Sequence, residues 1–348
     1  MGRSRKSAGG KLMKRMSKLW APFGYTAISL VMTYPAVFHL HDQVLGGGVD
    51  AWIFWWNNWW IKKVLTTGGD ATFTKYLFCP HGVDLAYHSF SWLNTALWLL
   101  LEPFVGKVAA YNISVLWVFP LAGWGMERLV RDLTNSKEGA FLAGLVYAFV
   151  PYRLGQYNHL TLMGTQWLPF YTLYLLRAIR GGRWRHALLA GLFALLTALV
   201  GWNLFLYLLI WTSLIGGYAW LSRMGTLRRL AGVLACISLT AGLTMAPLLV
   251  RMLTGQFGTE YVLGSSEQSA LRESRMQTDL LAYAVPSKFH PLWGQAVAPN
   301  YKDLGGPNEP RRVVCLGIVV MALLGYGLAR RSVRRQTGLW WSGLRQQI

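Results

Sequence analysis

Residues 187–221 read ALLAGLFALLTALVGWNLFLYLLIWTSLIGGYAWL and contain no charged side chain. A helix needs about 20 mainly apolar residues to cross the hydrocarbon core of a bilayer. The run is long enough for two such helices. We therefore interpret it as two membrane-spanning helices, 187–201 and 203–221, joined by a short connection around Gly201.

The composition of the whole chain agrees with a membrane protein. Of its 348 residues, 53% are hydrophobic and only 14% are charged, whereas soluble domains carry about 25% charged residues. The mean hydropathy is +0.31, and the 18 tryptophans suit the two interfaces of a bilayer. Cys236 and Cys315 lie in apolar runs and Cys79 stands alone, so we expect neither a disulfide framework nor a cysteine metal site.

Apolar runs of similar length recur along the chain. Each is near the length that a crossing requires. The predicted fold class is all-α, a polytopic transmembrane helical bundle of about eight spans. We expect these spans at 20–40, 108–126, 139–155, 165–180, 187–201, 203–221, 230–252 and 313–329.

The net charge of +20 would suggest nucleic-acid binding in a soluble protein, but the charges lie between the apolar runs. Residues 1–18 are basic without any acid, so the positive-inside rule predicts a cytoplasmic N-terminus. The segments that then fall inside hold 22 Lys/Arg against three acids. Membrane insertion accounts for this bias, and no nucleic-acid partner is needed. These inside segments are 1–18, 127–138, 177–186, 222–229 and the tail from 330.

Two long segments, 41–107 and 253–312, are predicted to lie outside. The first contains tryptophans at helical spacing, Trp52, Trp55, Trp56, Trp59 and Trp60, which form a single stripe. We expect a helix parallel to the membrane, with Asp50 at its N-cap and Asn58 toward water. Phe90 to Val105 is expected to be a second interfacial helix, because a crossing there would move the basic segment 177–186 outside.

This layout resembles the GT-C membrane glycosyltransferases, which include protein O-mannosyltransferases, lipid A aminoarabinose transferases and oligosaccharyltransferase catalytic subunits. The closest resemblance is to bacterial members, which implies the bacterial inner membrane. It implies a GT-C-like module at 19–252, then a second outer loop at 253–312 and a last span with a basic tail at 313–348. The local matches are Val49-Asp50, Pro80-His81-Gly82-Val83-Asp84-Leu85, Gly106 to Asn112 and Pro151-Tyr152-Arg153.

The resemblance implies transfer of a sugar from a polyprenyl-phosphate donor to an acceptor on the outer face of the membrane. Asp50 stands where the family has its acid. Many members carry a pair of acids, but here the neighbours are Val49 and Ala51. No cofactor is assigned for this reason, and a divalent metal stays open. A membrane lipid and the sugar-bearing lipid are the implied partners.

Each candidate residue has a plainer alternative. Asp50 could activate an acceptor or only cap a helix. His159 could bind a phosphate, a metal or a proton, or be an interfacial histidine. Arg153 could bind phosphate through two N–H groups, or extend its charge to lipid headgroups. Arg272, Arg275 and His290 could complete a cationic pocket over the donor phosphate, or be solvated surface charges.

Two other functions remain open at this point. The chain could be a non-catalytic GT-C-like subunit or scaffold that joins other membrane subunits. A transporter or flippase for a lipid-linked sugar is disfavoured, because the predicted spans hold few charges and show no repeat. His81, Asp84 and His88 are spaced as metal ligands could be, but no regular element holds them together, so we expect no metal site there.

Overall fold

The computed structural model describes residues 20–46, 48–181, 183–224, 226–254, 280–283, 285–286, 294–305, 315 and 317–329. The predicted basic N-terminus 1–18, most of the second outer loop 253–312 and the tail from 330 lie outside these residues. The domain boundaries expected from the sequence therefore stay predictions.

The described part of the chain is mostly helical, as the sequence predicts. Its one described sheet is a small antiparallel ribbon, Phe73–Thr74 with Val83–Asp84. The longer helices are Trp20–Met32, Gly48–Thr67, Trp92–Val105, Lys107–Leu116, Val118–Thr134, Lys137–Ala148, Leu168–Gly181, Trp184–Val200, Trp202–Leu221, Leu227–Ile237, Leu243–Thr254, Gly294–Gly305 and Ile318–Ala329. Shorter helical turns are Ala36–His39, Pro151–Gly155, Leu160–Met163 and Leu280–Tyr283, and a π-helical turn, Ser238–Gly242, joins two of the longer helices.

Three helices in the described ranges are long and apolar enough to cross a membrane, which is fewer than the eight expected. They are Lys107–Thr134, Trp202–Leu221 and Leu227–Thr254. Ala21–Met32 and Trp184–Val200 are apolar but shorter. At 1.5 Å per residue these two helices span only about 18 Å and about 25 Å, against about 30 Å of hydrocarbon.

The local sequence explains why the predicted span 139–155 is broken. Ser136 caps the helix Lys137–Ala148 by accepting a hydrogen bond from the Gly139 N–H. Pro151 then starts a separate short helix, and a proline disfavours helical conformation at the residue before it. The apolar run is therefore divided into two helices, neither of which is long enough to cross alone.

An alanine-lined face of the helix Trp184–Val200 forms much of the bundle core. Ala187, Ala190, Ala194 and Ala198 are all buried and recur at helical spacing. Small side chains allow neighbouring helices to approach closely. At Gly191 the approach is closest, since an added Cβ would lie 1.9 Å from the Thr240 hydroxyl oxygen.

The helix Gly48–Thr67, called here the tryptophan helix, confirms the predicted helix but not its orientation. Asn58 is buried, and its side-chain oxygen accepts a hydrogen bond from the Thr95 hydroxyl at 2.8 Å. Asn57 is also buried and bonds to the Ser89 carbonyl. The prediction that Asn58 faces water is therefore wrong, because this polar face packs on the following segment, where its amides find partners.

Two ion pairs join parts of the chain that are predicted to lie near the same side of the membrane. Arg177 Nε donates to Asp132 at 2.9 Å, which joins the segments 177–186 and 127–138, both predicted to lie inside. Arg251 Nε, at the outer end of the predicted span 230–252, donates to Asp84 at 2.9 Å in the segment 41–107, predicted to lie outside. The division of the connectors between the two sides stays a prediction.

Candidate active site around Asp50

A glycine turn positions the start of the tryptophan helix. Gly46 has φ +108°, and a Cβ on it would lie 2.8 Å from the Cα of Asn158. Only glycine accommodates both this backbone conformation and this approach. The turn therefore packs directly on the segment that holds His159.

Asn112 fixes the chain that leads into this turn. Its side-chain oxygen accepts a hydrogen bond from the Leu45 N–H at 2.8 Å. Its side-chain nitrogen donates to the carbonyl oxygens of Leu40 at 3.0 Å and Gln43 at 2.7 Å. One buried amide thus holds the connection 40–45 against the helix Lys107–Leu116.

Asp50 lies inside the first turn of the tryptophan helix, which begins at Gly48. The N-cap position predicted for it is therefore wrong, although an acid in the first turn still interacts favourably with the helix dipole. The residue is only 8% exposed. Its carboxylate lies within electrostatic range of the Tyr111 hydroxyl, which is fully buried and has no hydrogen-bond partner in the described ranges.

His159 is brought to the same junction. The Phe54 ring, one helical turn after Asp50, packs edge-on against the imidazole with the ring centroids 5.4 Å apart. His159 Nδ1 also shares a hydrogen bond of 3.1 Å with the Thr161 hydroxyl. His159 therefore contacts the tryptophan helix one turn after Asp50.

Arg153 is directed into the protein and not toward headgroups. It is 3% exposed, its Nη2 donates to the Thr165 hydroxyl, and its guanidinium lies 4.6 Å from the centroid of the Tyr147 ring. Its Nη1 is buried without a hydrogen-bond partner, and no ion pair to Arg153 occurs among the described residues. The structure thus contradicts the snorkelling alternative and places in the interior a positive charge that no acid among the described residues pairs with.

The other predicted phosphate ligands, Arg272, Arg275 and His290, lie outside the described residues. The structure says nothing of the pocket that they were expected to complete. The assignment of these three residues to the donor phosphate therefore stays a prediction.

Two members of the spaced trio His81, Asp84 and His88 have other partners. Asp84 is paired with Arg251, and His88 Nε2 shares a hydrogen bond of 2.7 Å with the Asn57 side chain. Burial lowers the pKa of the His88 imidazole. Within the described ranges no three His, Cys, Asp or Glu residues are grouped to hold a metal ion.

A cavity of about 420 Å³ lies beside the glycine turn. Its lining includes Gly46, Asn112, Leu154, Tyr157 and His39. Neither Asp50, His159 nor Arg153 belongs to that lining. The cavity therefore reaches the glycine turn before the tryptophan helix and Tyr157, two residues before His159, but not the candidate side chains themselves.

Two residues of this junction, Tyr111 and Asn112, have no role in the sequence-based predictions. They fall within one of the local family matches, Gly106 to Asn112. The available signal was an asparagine inside an apolar helix, because a polar side chain there is retained only where it has a partner. Its partners are backbone groups of 40–45, which sequence alone does not identify.

A comparison with models of known protein families finds no match to this chain. A comparison with curated proteins finds no match either.

Proposed function

We propose that the chain is a membrane glycosyltransferase that moves a sugar from a polyprenyl-phosphate donor to an acceptor on the outer face of the membrane. One observation carries the proposal. Asp50 lies one helical turn before Phe54, whose ring packs on His159 from a distant part of the sequence, and a cavity reaches the glycine turn before this helix. A carboxylate and an imidazole that enter the same helix junction, with space for a ligand nearby, suit proton transfer in group-transfer chemistry.

In the proposed reaction an acceptor O–H or N–H attacks the anomeric carbon of the donor sugar. The bond between that carbon and the phosphate oxygen breaks, and polyprenyl phosphate leaves with the bonding electrons. Asp50 takes the acceptor proton, and His159 hydrogen-bonds the departing phosphate. Asp50 must become accessible from the neighbouring cavity for this to occur, so the mechanism includes an opening of the junction.

Arg153 has a different part in this proposal from the one expected at first. Its guanidinium is too buried to contact a donor in this conformation. A buried positive charge with no acidic partner in the described part of the chain still produces a strong local potential in a water-poor interior. We therefore assign Arg153 to the electrostatics beneath the site, where it favours the negative charge of the leaving phosphate.

A non-catalytic membrane subunit is the second candidate, and the burial of Asp50 favours it. The carboxylate is covered and lines none of the described cavities. The exposed rings of Trp52 and Trp59, at 55% and 41%, would then form part of a surface for another membrane subunit.

The test uses the full chain reconstituted in vesicles with a polyprenyl-phosphate sugar and candidate acceptors. Asp50→Asn should lower sugar transfer by about 10²–10⁴-fold, the usual contribution of a positioned acid or base. Asparagine is close to aspartate in shape, so thermal unfolding should change little. Glu138→Gln, which removes an exposed acid from a different helix, is the matched control.

Two results would contradict the proposal. Full transfer activity of Asp50→Asn would show that the carboxylate is not the base. If the wild-type chain transfers sugar from none of the polyprenyl-phosphate donors tested, the result would favour the non-catalytic subunit.

A further inference from the structure

A second ligand-sized space lies at the far end of the tryptophan helix. It is a groove of about 530 Å³, lined by four tryptophans and three lysines together with two threonines. Its lining begins at Trp55, about 8 Å along the helix after Asp50, and the Trp55 ring packs on Tyr111 with the centroids 5.8 Å apart. Lys62 is twelve positions after Asp50, which corresponds to about 18 Å along a helix. The charged part of the groove is therefore separate from the junction around Asp50.

The groove carries excess positive charge. Lys62 Nζ is paired with Glu102 at 2.7 Å. Lys63 and Lys107 form no ion pair within the described part of the chain. Lys63 Nζ instead lies 5.1 Å from the centroid of the Tyr76 ring. Two ammonium groups are thus left to attract an anion.

The backbone around Lys107 adds to this preference. Lys107 is the first residue of the helix Lys107–Leu116, and no side chain caps that end. The preceding Gly106 has φ +80°, which allows the sharp turn from Trp92–Val105. The first N–H groups of a helix and its dipole favour a negative charge at this point.

The aromatic walls distinguish this groove from a site for a small soluble anion. Trp59 is 41% exposed, whereas Trp98 is buried and forms the floor, with its indole N–H donating to the Lys107 carbonyl at 3.0 Å. Indole rings prefer the headgroup level of a bilayer, where one side is apolar and the other is wet. Ammonium groups beside indole faces match a phosphate that is attached to glycerol and acyl chains.

We propose that this groove binds the phosphate of an anionic phospholipid from the surrounding leaflet. Lys63 and Lys107 contact the phosphate oxygens, and the tryptophans contact the glycerol and the upper acyl chains. The bound lipid holds the tryptophan helix at the membrane surface. This inference requires only that the chain lies in a membrane, and it holds whether or not sugar transfer occurs.

The experiment measures lipid binding by native mass spectrometry of the full chain, released from micelles that contain phosphatidylglycerol or phosphatidylcholine. The wild type should bind phosphatidylglycerol more tightly. A lysine near an anionic headgroup contributes about fivefold in affinity, so Lys63→Gln with Lys107→Gln should weaken this binding about 25-fold. Arginine at both positions should preserve it.

The matched control is Lys75→Gln with Lys137→Gln, which removes the same charge from exposed positions outside the groove. Its binding should stay within about twofold of the wild type, because neither lysine lines the groove. Attraction that depends only on total charge would instead weaken both double variants equally. An equal loss in both double variants would overturn the site. If millimolar inorganic phosphate displaced the lipid, the groove would be a site for free phosphate, and the assignment to a lipid would be wrong. Preferential binding of polyprenyl phosphate would overturn the assignment to a phospholipid.

Discussion

Replacing Asn112 by alanine should release the chain that leads into the tryptophan helix. The asparagine side chain makes three hydrogen bonds to the backbone of Leu40, Gln43 and Leu45, at 2.7 to 3.0 Å. Each bond contributes about 0.5–1.5 kcal/mol net, so the three together contribute roughly 3 kcal/mol, within a range of about 1.5–4.5 kcal/mol. Because Gln43 is exposed and Leu40 and Leu45 are half-buried, water can form hydrogen bonds to these backbone groups in the variant and replace part of the contribution. We therefore expect the free energy of local opening at 40–46 to fall by about 2 kcal/mol.

Hydrogen exchange followed by mass spectrometry measures the free energy of local opening in the segment 40–46, where the change should occur. Local opening of 40–46 should become about 30-fold more frequent in Asn112→Ala, since 1.4 kcal/mol corresponds to a factor of ten. Ser114→Ala is the matched control, because that buried hydroxyl in the same helix bonds only to the Ala110 carbonyl one turn earlier. Unchanged exchange at 40–46 in Asn112→Ala, or an equal increase in Ser114→Ala, would refute the reasoning.

Two further predictions concern packing and pH. Gly191→Ala should destabilise the bundle by about 1–3 kcal/mol in thermal unfolding, because its Cβ would overlap the Thr240 hydroxyl, whereas Gly217→Ala, with no atom within 4 Å of its Cβ, should not. The pKa of His88 is lowered in the folded state, which therefore favours the neutral imidazole. This preference contributes fully to the free energy of unfolding above the ordinary pKa near 6.5, and the contribution is lost as pH falls through the pKa of the folded state. His88→Gln should flatten the dependence of thermal unfolding on pH between about 7.5 and 5. The packing argument would be contradicted if Gly217→Ala destabilised the protein as much as Gly191→Ala. The pH argument would be contradicted if thermal unfolding of His88→Gln depended on pH as it does in the wild type.

The tryptophan helix shows how far periodicity can predict. The tryptophan spacing correctly predicts a helix, since i, i+3 and i+4 positions lie on one side at 3.6 residues per turn. The same spacing suggests that the opposite, asparagine-bearing face is solvated. That step failed because periodicity separates the faces of a helix without identifying what packs on each. Asn58 is buried because Thr95, from another helix, supplies its partner.

The span count failed for a related reason. Hydropathy detects apolar runs, and the structure contains helices in each predicted span, down to the short last helix Ile318–Ala329. Continuity depends on backbone details inside a run, such as the start of a new helix at Pro151. Three helices in the described ranges are long and apolar enough to cross, because length as well as composition decides whether a helix spans.

The sequence by itself determined that the chain is mostly helical, with apolar helices, and where along the chain its charges fall. Composition and charge distribution depend on residue order alone, and the bilayer selects strongly on both. Only the tertiary structure brought Asp50 beside the segment of His159, buried Arg153, and placed Lys63 and Lys107 in one groove. Such contacts between residues distant in sequence depend on which helix faces pack together. Many long-range contacts decide that packing at once, so it is absent from any local stretch of the chain.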